Sequence, residues 1–353
     1  MAHEPWFVEE IGEVASHALA RHCTGVVLAV FARSIYLHLL GDHRDYGPRR
    51  ETLAAAANGY DTDNALVCIT DRSLGAGPLH ICTRNLRTSL RDAPNTVTAG
   101  DSVRVNHHER MIHIHRTDAD KTRTGIALAY TAASTRGDTQ NIRRCHNRER
   151  AFQTLFQSLS LSQRLSPSPL QWQQSTFGLA PGLQEQAVRS RSNIALQELR
   201  NWLFTNAPRG SPARHTQSMV NEPPGTIRDL IGLGEGLTPA GDDYLAGILI
   251  GLRYCARDAA ADKLSHYLHV HLKSRTNRIS RAHLACVRAG YYQTSVVDLL
   301  VALDHGAQRV DCAIRQLTDY GHTSGLDLLA GFSTALESSA GSTISRSHKP
   351  SLS

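Results

Sequence analysis

Gly232-Leu-Gly-Glu-Gly-Leu-Thr-Pro-Ala-Gly-Asp-Asp-Tyr-Leu-Ala-Gly247 changes character half-way along. Its first part spaces glycines at 232, 234, 236 and 241, where backbone can take positive φ or approach another group closely. Its second part opens a helix: Leu245, Ile248, Leu249 and Leu252 recur at i, i+3, i+4 and i+7, so one face is buried. Gly247 and Gly251 on that helix admit a close neighbour. A glycine-rich loop running into a buried helix makes the second half of the chain helical.

Working outward, helical periodicity marks Arg148 to Leu161, Glu185 to Phe204, Gly241 to Arg257, Ala260 to Lys273, Ile279 to Ala289, Val296 to Asp304, Val310 to Tyr320 and Gly325 to Leu336. Ser162 to Gly182 and Ala207 to Gly225 are connections rich in Ser, Gln, Pro or Gly. Towards the amino terminus the pattern is different. Val26 to Val30, Ser34 to Leu40, Leu66 to Thr70, Leu79 to Cys82, Thr96 to Val105 and Met111 to His115 are short β-branched or apolar runs separated by turn residues. Thr98 to Val105 and Met111 to His115 flank a polar tip at Asn106 to Arg110, which reads as a hairpin. The expected fold is α+β: a β-rich barrel or sandwich over residues 1–145, a helical domain over 146–337 carrying the glycine loop, and a disordered tail over 338–353.

With 353 residues, 41% hydrophobic and 20% charged, the composition is that of a folded protein. The formal charge of +6 raises nucleic acid as a partner, but basic and acidic residues are mixed through both halves and aromatic interleaving is sparse. We expect no nucleic-acid partner. Seven scattered cysteines without a Cys-x-x-Cys pair fit a reducing compartment. The longest apolar run, Val26 to Ala32, is too short for a bilayer span, which needs about 20 residues. A cytoplasmic protein without a membrane partner is the expectation.

The glycine loop is the strongest chemical signal. Backbone amides around Gly234, Gly236 and Gly241, followed by a helix start, suit a phosphate or carboxylate. The competing reading makes Thr238 an N-cap, Pro239 the first helical residue, and Asp242 and Asp243 complements of the helix dipole. No Gly-Lys-Ser/Thr follows and no strand leads in, so ATP and NAD are not indicated. Asp242 should point to the buried side, and either carboxylate, if buried, requires a donor, a cation or a raised pKa.

Gly321-His-Thr-Ser-Gly-Leu-Asp-Leu-Leu-Ala-Gly331 repeats the design, aligning Thr238 with Thr323, Asp243 with Asp327 and Gly247 with Gly331. The two loop-to-helix stretches either face each other across a pocket or form a repeated helix hairpin without ligand. Between them, Arg275 and Arg278 precede a helix capped by Asn277 or Ser280, and such groups bind phosphate or carboxylate. His113 with His115, and His266 with His269 and His271, have no carboxylate or thiolate to complete the ligand set and support that zinc needs, so no metal site is assigned.

The Gly232 to Gly247 stretch resembles the defining motif of the AllH-like family. Gly75-Ala-Gly-Pro-Leu-His-Ile81, Thr276 with Arg278, Ile279 and Ser280, and Ser324-Gly-Leu-Asp327 agree with it in order. The resemblance implies a subunit of an oxamate carbamoyltransferase with two companion subunits, one of them FdrA-like. The implied reaction is reversible: oxalurate and phosphate give oxamate and carbamoyl phosphate, in anaerobic allantoin breakdown. The Ser-x-Arg-Thr-Arg phosphate motif of ordinary carbamoyltransferases is absent, and Ser274-Arg-Thr-Asn-Arg278 is a scrambled likeness. Roles therefore follow from chemistry. Gly234, Gly236, Thr238, Gly241, Arg275, Arg278 and Ser280 would hold the anion, and Thr323 or Ser324 would stabilise the oxyanion. His322 would shuttle a proton, and Asp243 would belong to the catalytic group. Asp242 or Asp243 would orient an arginine or hold a magnesium ion, the one cofactor considered, and Asp327 would be a further orienting carboxylate. Gly77, Pro78 and His80 would be the strand-rich half's contribution. The alternative is a non-catalytic subunit that binds a small anion and supports a companion enzyme.

Overall fold

The computed structural model describes residues 6–40, 64–71, 75–83, 86, 97–118, 121–130, 134–136, 145, 147–161, 183–207, 220–305, 307–318 and 324–340. The chain divides into two compact units, Met1–Gln140 with Tyr291–Thr294, and Asn141–Gly290 with Ser295–Ser353. The sequence reading placed the division at 145. The return of four residues, 291–294, to the first unit has no linear signature.

The first unit is a closed barrel. Its strands are β1 (Trp6–Gly12), β2 (Thr24–Phe31), β3 (Ser34–Leu40), β4 (Asn64–Asp71), β5 (His80–Thr83), β6 (Ser102–Asn106), β7 (Met111–Asp118), β8 (Lys121–Ala129) and β9 (Ser134–Arg136), with helix α1 (Glu13–Arg21) after β1. Eight strands pair in the order β5-β4-β3-β2-β6-β7-β8-β1, and β1 closes the ring on β5 through Val8 opposite Thr83 and Ile11 opposite Ile81. β9 extends the pairing along β1 beyond β8. Closure removes the open edges that a sheet of this size would expose.

Ile35, Leu37 and Leu39, Ala65, Val67 and Ile69, Val103 and Val105, and Ile112 and Ile114 alternate along their strands and fill the interior. In β3, β4 and β5 the other face is buried too, with Tyr36, His38, Leu66, Cys68, His80 and Cys82. Two-sided burial gives near-continuous apolar runs, which is why these strands are clear in the sequence. The expected hairpin forms with Asn106 opposite Met111, and Arg110 takes the left-handed conformation at its tip. Inside this unit the Gly75–Pro78 turn is clamped. Pro78 carbonyl accepts from Ala15 N–H at 2.9 Å, and Ala76 carbonyl accepts from Thr294 N–H and Oγ1 at 3.0 and 2.9 Å.

The second unit is helical: α2 (Arg148–Leu161), α3 (Leu183–Thr205), a 3-10 turn (Gly225–Asp229), α4 (Ala240–Tyr254), α5 (Asp258–Arg275), α6 (Arg278–Arg288), α7 (Thr294–His305), α8 (Ala307–Thr318) and α9 (Ser324–Ala340). α4 is its axis, buried over nearly its whole length, and the predicted face of Leu245, Ile248, Leu249 and Leu252 lies in the core. Trp202 of α3, Leu230 and Ile231 after the 3-10 turn, and Leu264 and Leu268 of α5 pack around it.

Where a disordered tail was expected from Ser338, α9 continues to Ala340. Ser338 and Ser339 donate to Ala335 carbonyl at 2.8 and 2.7 Å, while Arg257 donates to both hydroxyls and to Leu203 carbonyl. A serine run that reads as loop is thus helical, its hydroxyls satisfied by the preceding turn and by Arg257. The rest of that tail, and most of the Ser162–Gly182 and Ala207–Gly225 connections, lie outside the described residues.

Candidate functional site: two helix starts brought together

α4 and α9 meet through their glycines. A Cβ on Gly247 would stand 2.0 Å from Leu328 carbonyl oxygen, and one on Gly331 would stand 2.0 Å from Tyr244 carbonyl oxygen. Each glycine faces the carbonyl three residues before the other, so the contact is reciprocal. Gly251 faces Ala335 further along, so the helices run in the same direction and their starts lie at the same end. Gly241 and Gly325 correspond as well: a Cβ there would meet Leu230 and Leu317 carbonyl oxygens at 1.9 and 2.0 Å. The sequence repeat is therefore a structural one.

At that common end Thr238 and Ser324 hydroxyls are hydrogen-bonded at 2.9 Å. Thr238 is not an N-cap. Pro239 occupies that position, no side chain caps the helix, and α4 begins at Ala240. Asp243 lies within hydrogen-bonding reach of both hydroxyls. The residue keeps some exposure, yet its Oδ2 is closed off from solvent and has no hydrogen-bond partner among the described residues. Burial pushes its carboxyl well above the usual carboxylate range; the two hydroxyls pull back, and Asp327 and Asp242 push further up. Asp327, the repeat partner of Asp243, is buried.

Asp242 is turned to the protein, as its place on the buried face predicts. Its Oδ1 accepts from Gly232 N–H at 2.8 Å, and its Oδ2 accepts from Ser280 hydroxyl at 2.6 Å and from Thr276 hydroxyl. Burial raises its pKa, against the pull of Ser280, Thr276 and the Gly232 amide. Asp242 thus ties the glycine loop to the α5–α6 junction. Asn277 does the same from the other side: its Oδ1 accepts from Ser280 N–H as the α6 cap, while its Nδ2 donates to Leu237 carbonyl at 3.0 Å. Asn277 is the cap that the sequence offered, whereas the tethering by Thr276 and by the Asn277 amide is a role that motif reading did not assign. Their signal was a hydroxyl immediately before a capping residue.

Several expected anion ligands are committed to the protein instead. Gly241 N–H donates to Leu233 carbonyl at 2.8 Å, and Ser280 is spent on Asp242. Arg275 donates to Arg228 carbonyl at 3.1 Å and pairs with Asp229 at 3.5 Å. Asp242 meets hydroxyls and an amide, where an arginine was expected. Gly232 serves a close approach of Arg275 carbonyl, while Gly236, with φ +104°, has among the described residues only Thr238 carbonyl, at 4.0 Å, near a built Cβ. His322 and Thr323 lie outside the described residues. Arg278 is the first residue of α6.

In the barrel unit, His80 is buried and pushed down to about 4 by desolvation, with Nδ1 3.4 Å from Gly75 carbonyl oxygen. A Cβ on Gly12 would stand 2.1 and 2.5 Å from the carbonyl oxygens of Gly77 and Pro78, so this turn is packed against the start of α1. Among the described residues no group of three or more His, Cys, Asp or Glu is placed to hold a metal ion. No helix among them is long and apolar enough to cross a membrane.

Fold and site together define a mixed α+β protein, a closed eight-stranded barrel with a helical unit built on a repeated glycine-loop-to-helix element. The helical element is similar to one family over part of the chain: the model of the AllH family, described as oxamate carbamoyltransferase subunit AllH, matches residues 230–336. That span runs from Leu230, two residues before Gly232, through most of α9. No solved structure matches the chain.

Proposed function

We propose that the chain is a cytoplasmic subunit of an oxamate carbamoyltransferase, and that the paired starts of α4 and α9 hold a small anionic substrate. The reaction is reversible carbamoyl transfer between phosphate and oxamate: oxalurate and phosphate give oxamate and carbamoyl phosphate. The observation that carries the reading is the Thr238–Ser324 hydroxyl pair beside Asp243, inside the segment that matches the AllH family. Two partly exposed hydroxyls at two helix starts are donors for a phosphate or carboxylate oxygen, or for the oxygen of a tetrahedral intermediate.

Transfer requires phosphate oxygen to attack the ureido carbon of oxalurate while the bond to the oxamyl nitrogen breaks. Holding the two anions in line supplies much of the rate. The leaving nitrogen needs a proton; the attacking hydrogen phosphate gives one up as its oxygen bonds to carbon, and the hydroxyl pair would relay it. Gly236 leaves room for ligand beside the loop, and Arg278 at the start of α6 supplies positive charge. As a subunit the chain works with companions, one of them FdrA-like, so active-site groups are shared with that assembly.

The test is formation of carbamoyl phosphate from oxalurate and phosphate by the chain with its companion subunits. Activity that falls at least tenfold in Ser324→Ala, with subunit assembly intact, is the expected result. Full activity in Ser324→Ala and Thr238→Val together would remove the paired helix starts from the active site.

A further inference from the structure

Three carboxyl groups, Asp242, Asp243 and Asp327, are gathered at one end of α4 and α9. Asp242 has three donors, an amide and two hydroxyls, and is built as an ionised acceptor. Asp243 is built differently. Its Oδ2 is enclosed and has no donor among the described residues, and the hydroxyls that act on its carboxyl are those of Thr238 and Ser324. An ionised group there would leave a buried charge with a bare oxygen beside two further acids, an arrangement that costs several kcal/mol. A neutral acid leaves only a bare carbonyl oxygen and gains an O–H to donate.

We propose that Asp243 is a neutral carboxylic acid whose O–H donates into the Thr238–Ser324 hydroxyl pair and thereby turns that pair outward as hydrogen-bond donors to a bound anion. This rests on the anion-site reading above and assigns its control. A hydroxyl has one proton to give. With Asp243 protonated, one hydroxyl accepts from the acid, the pair passes the donation along, and the last O–H faces the ligand. With Asp243 ionised, both hydroxyls donate back to the carboxylate and present lone pairs to the site. The direction of the chain, and with it the preference for an anion, is set by one proton. Asp243 acts through Thr238 and Ser324 and is a positioning residue.

The groups facing it are the hydroxyls of Thr238 and Ser324 and the carboxyls of Asp242 and Asp327. The two carboxyls oppose its ionisation and so favour the neutral acid.

Infrared difference spectra of the full chain at neutral pH test the protonation. The C=O stretch of a protonated carboxyl should be present, be lost in Asp243→Asn, and remain in Asp242→Asn. Calorimetric titration with oxamate, whose own charge is constant from pH 5 to 9, tests the coupling. Affinity should fall about tenfold per pH unit once Asp243 ionises. In Asp243→Asn, whose amide N–H donates at every pH, it should stay flat. Absence of the infrared band, or its persistence in Asp243→Asn, overturns the neutral acid. The band together with oxamate affinity that does not vary with pH, or that disappears in Asp243→Asn, overturns the coupling. The band without oxamate binding at any pH overturns the anion reading of the site, and the coupling with it, while leaving the acid neutral.

Discussion

Replacing Gly331 by alanine would test the α4–α9 junction at its tightest point. The added Cβ would lie 2.0 Å from Tyr244 carbonyl oxygen and 3.1 Å from Ile248 nitrogen. Real Cβ atoms do not approach closer than 3.0 Å, so α9 must retreat from α4 by about 1 Å at a point where both are backbone. No rotamer change relieves that clash. The same retreat unseats Phe332 and Leu245 from the core and lengthens the 2.9 Å Thr238–Ser324 hydrogen bond. Overpacking of a rigid core costs about 1–3 kcal/mol, and a backbone-on-backbone clash belongs at or beyond the upper end.

Denaturant unfolding followed by far-ultraviolet circular dichroism should show a loss of about 3 kcal/mol or more for Gly331→Ala. Gly225→Ala is the control. It has open space and ordinary φ, and should change stability by less than about 1 kcal/mol in the stabilising direction. Because one retreat makes room for both methyls, Gly247→Ala added to Gly331→Ala should cost clearly less than the sum. Equal stabilities for Gly331→Ala and Gly225→Ala would refute the reciprocal glycine contact.

Asp242→Ala should cost about 3 kcal/mol or more, because it strands Gly232 N–H and the Thr276 and Ser280 hydroxyls, while Thr276→Val should cost about 1 kcal/mol by the same unfolding assay. His80 is held down to about 4 in the barrel and titrates near 6.5 when unfolded, so the unfolded chain binds the extra proton between these values. Stability of the barrel unit should therefore be lost as pH falls through that window, by up to about 3 kcal/mol, and His80→Gln should flatten the profile. Asp243 has the opposite sign: its raised value keeps stability at low pH and loses it as pH rises through the folded value. Thermal unfolding should then show Asp243→Asn gaining on the unsubstituted chain toward alkaline pH.

Much of this architecture is legible as periodicity. Buried helices such as α4 and the two-sided strands β3 and β4 carry unbroken apolar signals. β1 and α1 carry none. Glu9 and Glu10 stand side by side where alternation is expected, and the pairing with β5 slips between Val8 and Glu10. Helix α1 has only nine residues. β8 begins Lys-Thr-Arg-Thr-Gly, and its placement comes from pairing with β7, with Ile112 opposite Leu128. Barrel closure itself is a long-range event between β1 and β5, for which local sequence has no mark.

In the site, the repeat alignment of Gly247 with Gly331 and Asp243 with Asp327 is read directly from spacing. What spacing does not reveal is the use of each glycine. Gly232 and Gly241 are small because Arg275 and Leu230 carbonyls press against them, and the same sequence pattern would serve a phosphate. Nor does it separate two adjacent aspartates. Asp242 finds three donors from the glycine loop, Thr276 and Ser280, while Asp243, one residue on, turns to the hydroxyl pair and is left with a bare oxygen.

The central claim is that the paired helix starts in this chain hold a substrate anion. Calorimetric titration of the full chain with carbamoyl phosphate at neutral pH, repeated on Thr238→Val and Ser324→Ala, tests it most directly. The account predicts saturable binding that weakens about tenfold in each variant, as the loss of one hydrogen bond to a charged ligand requires. Binding of unchanged strength in both variants would contradict it.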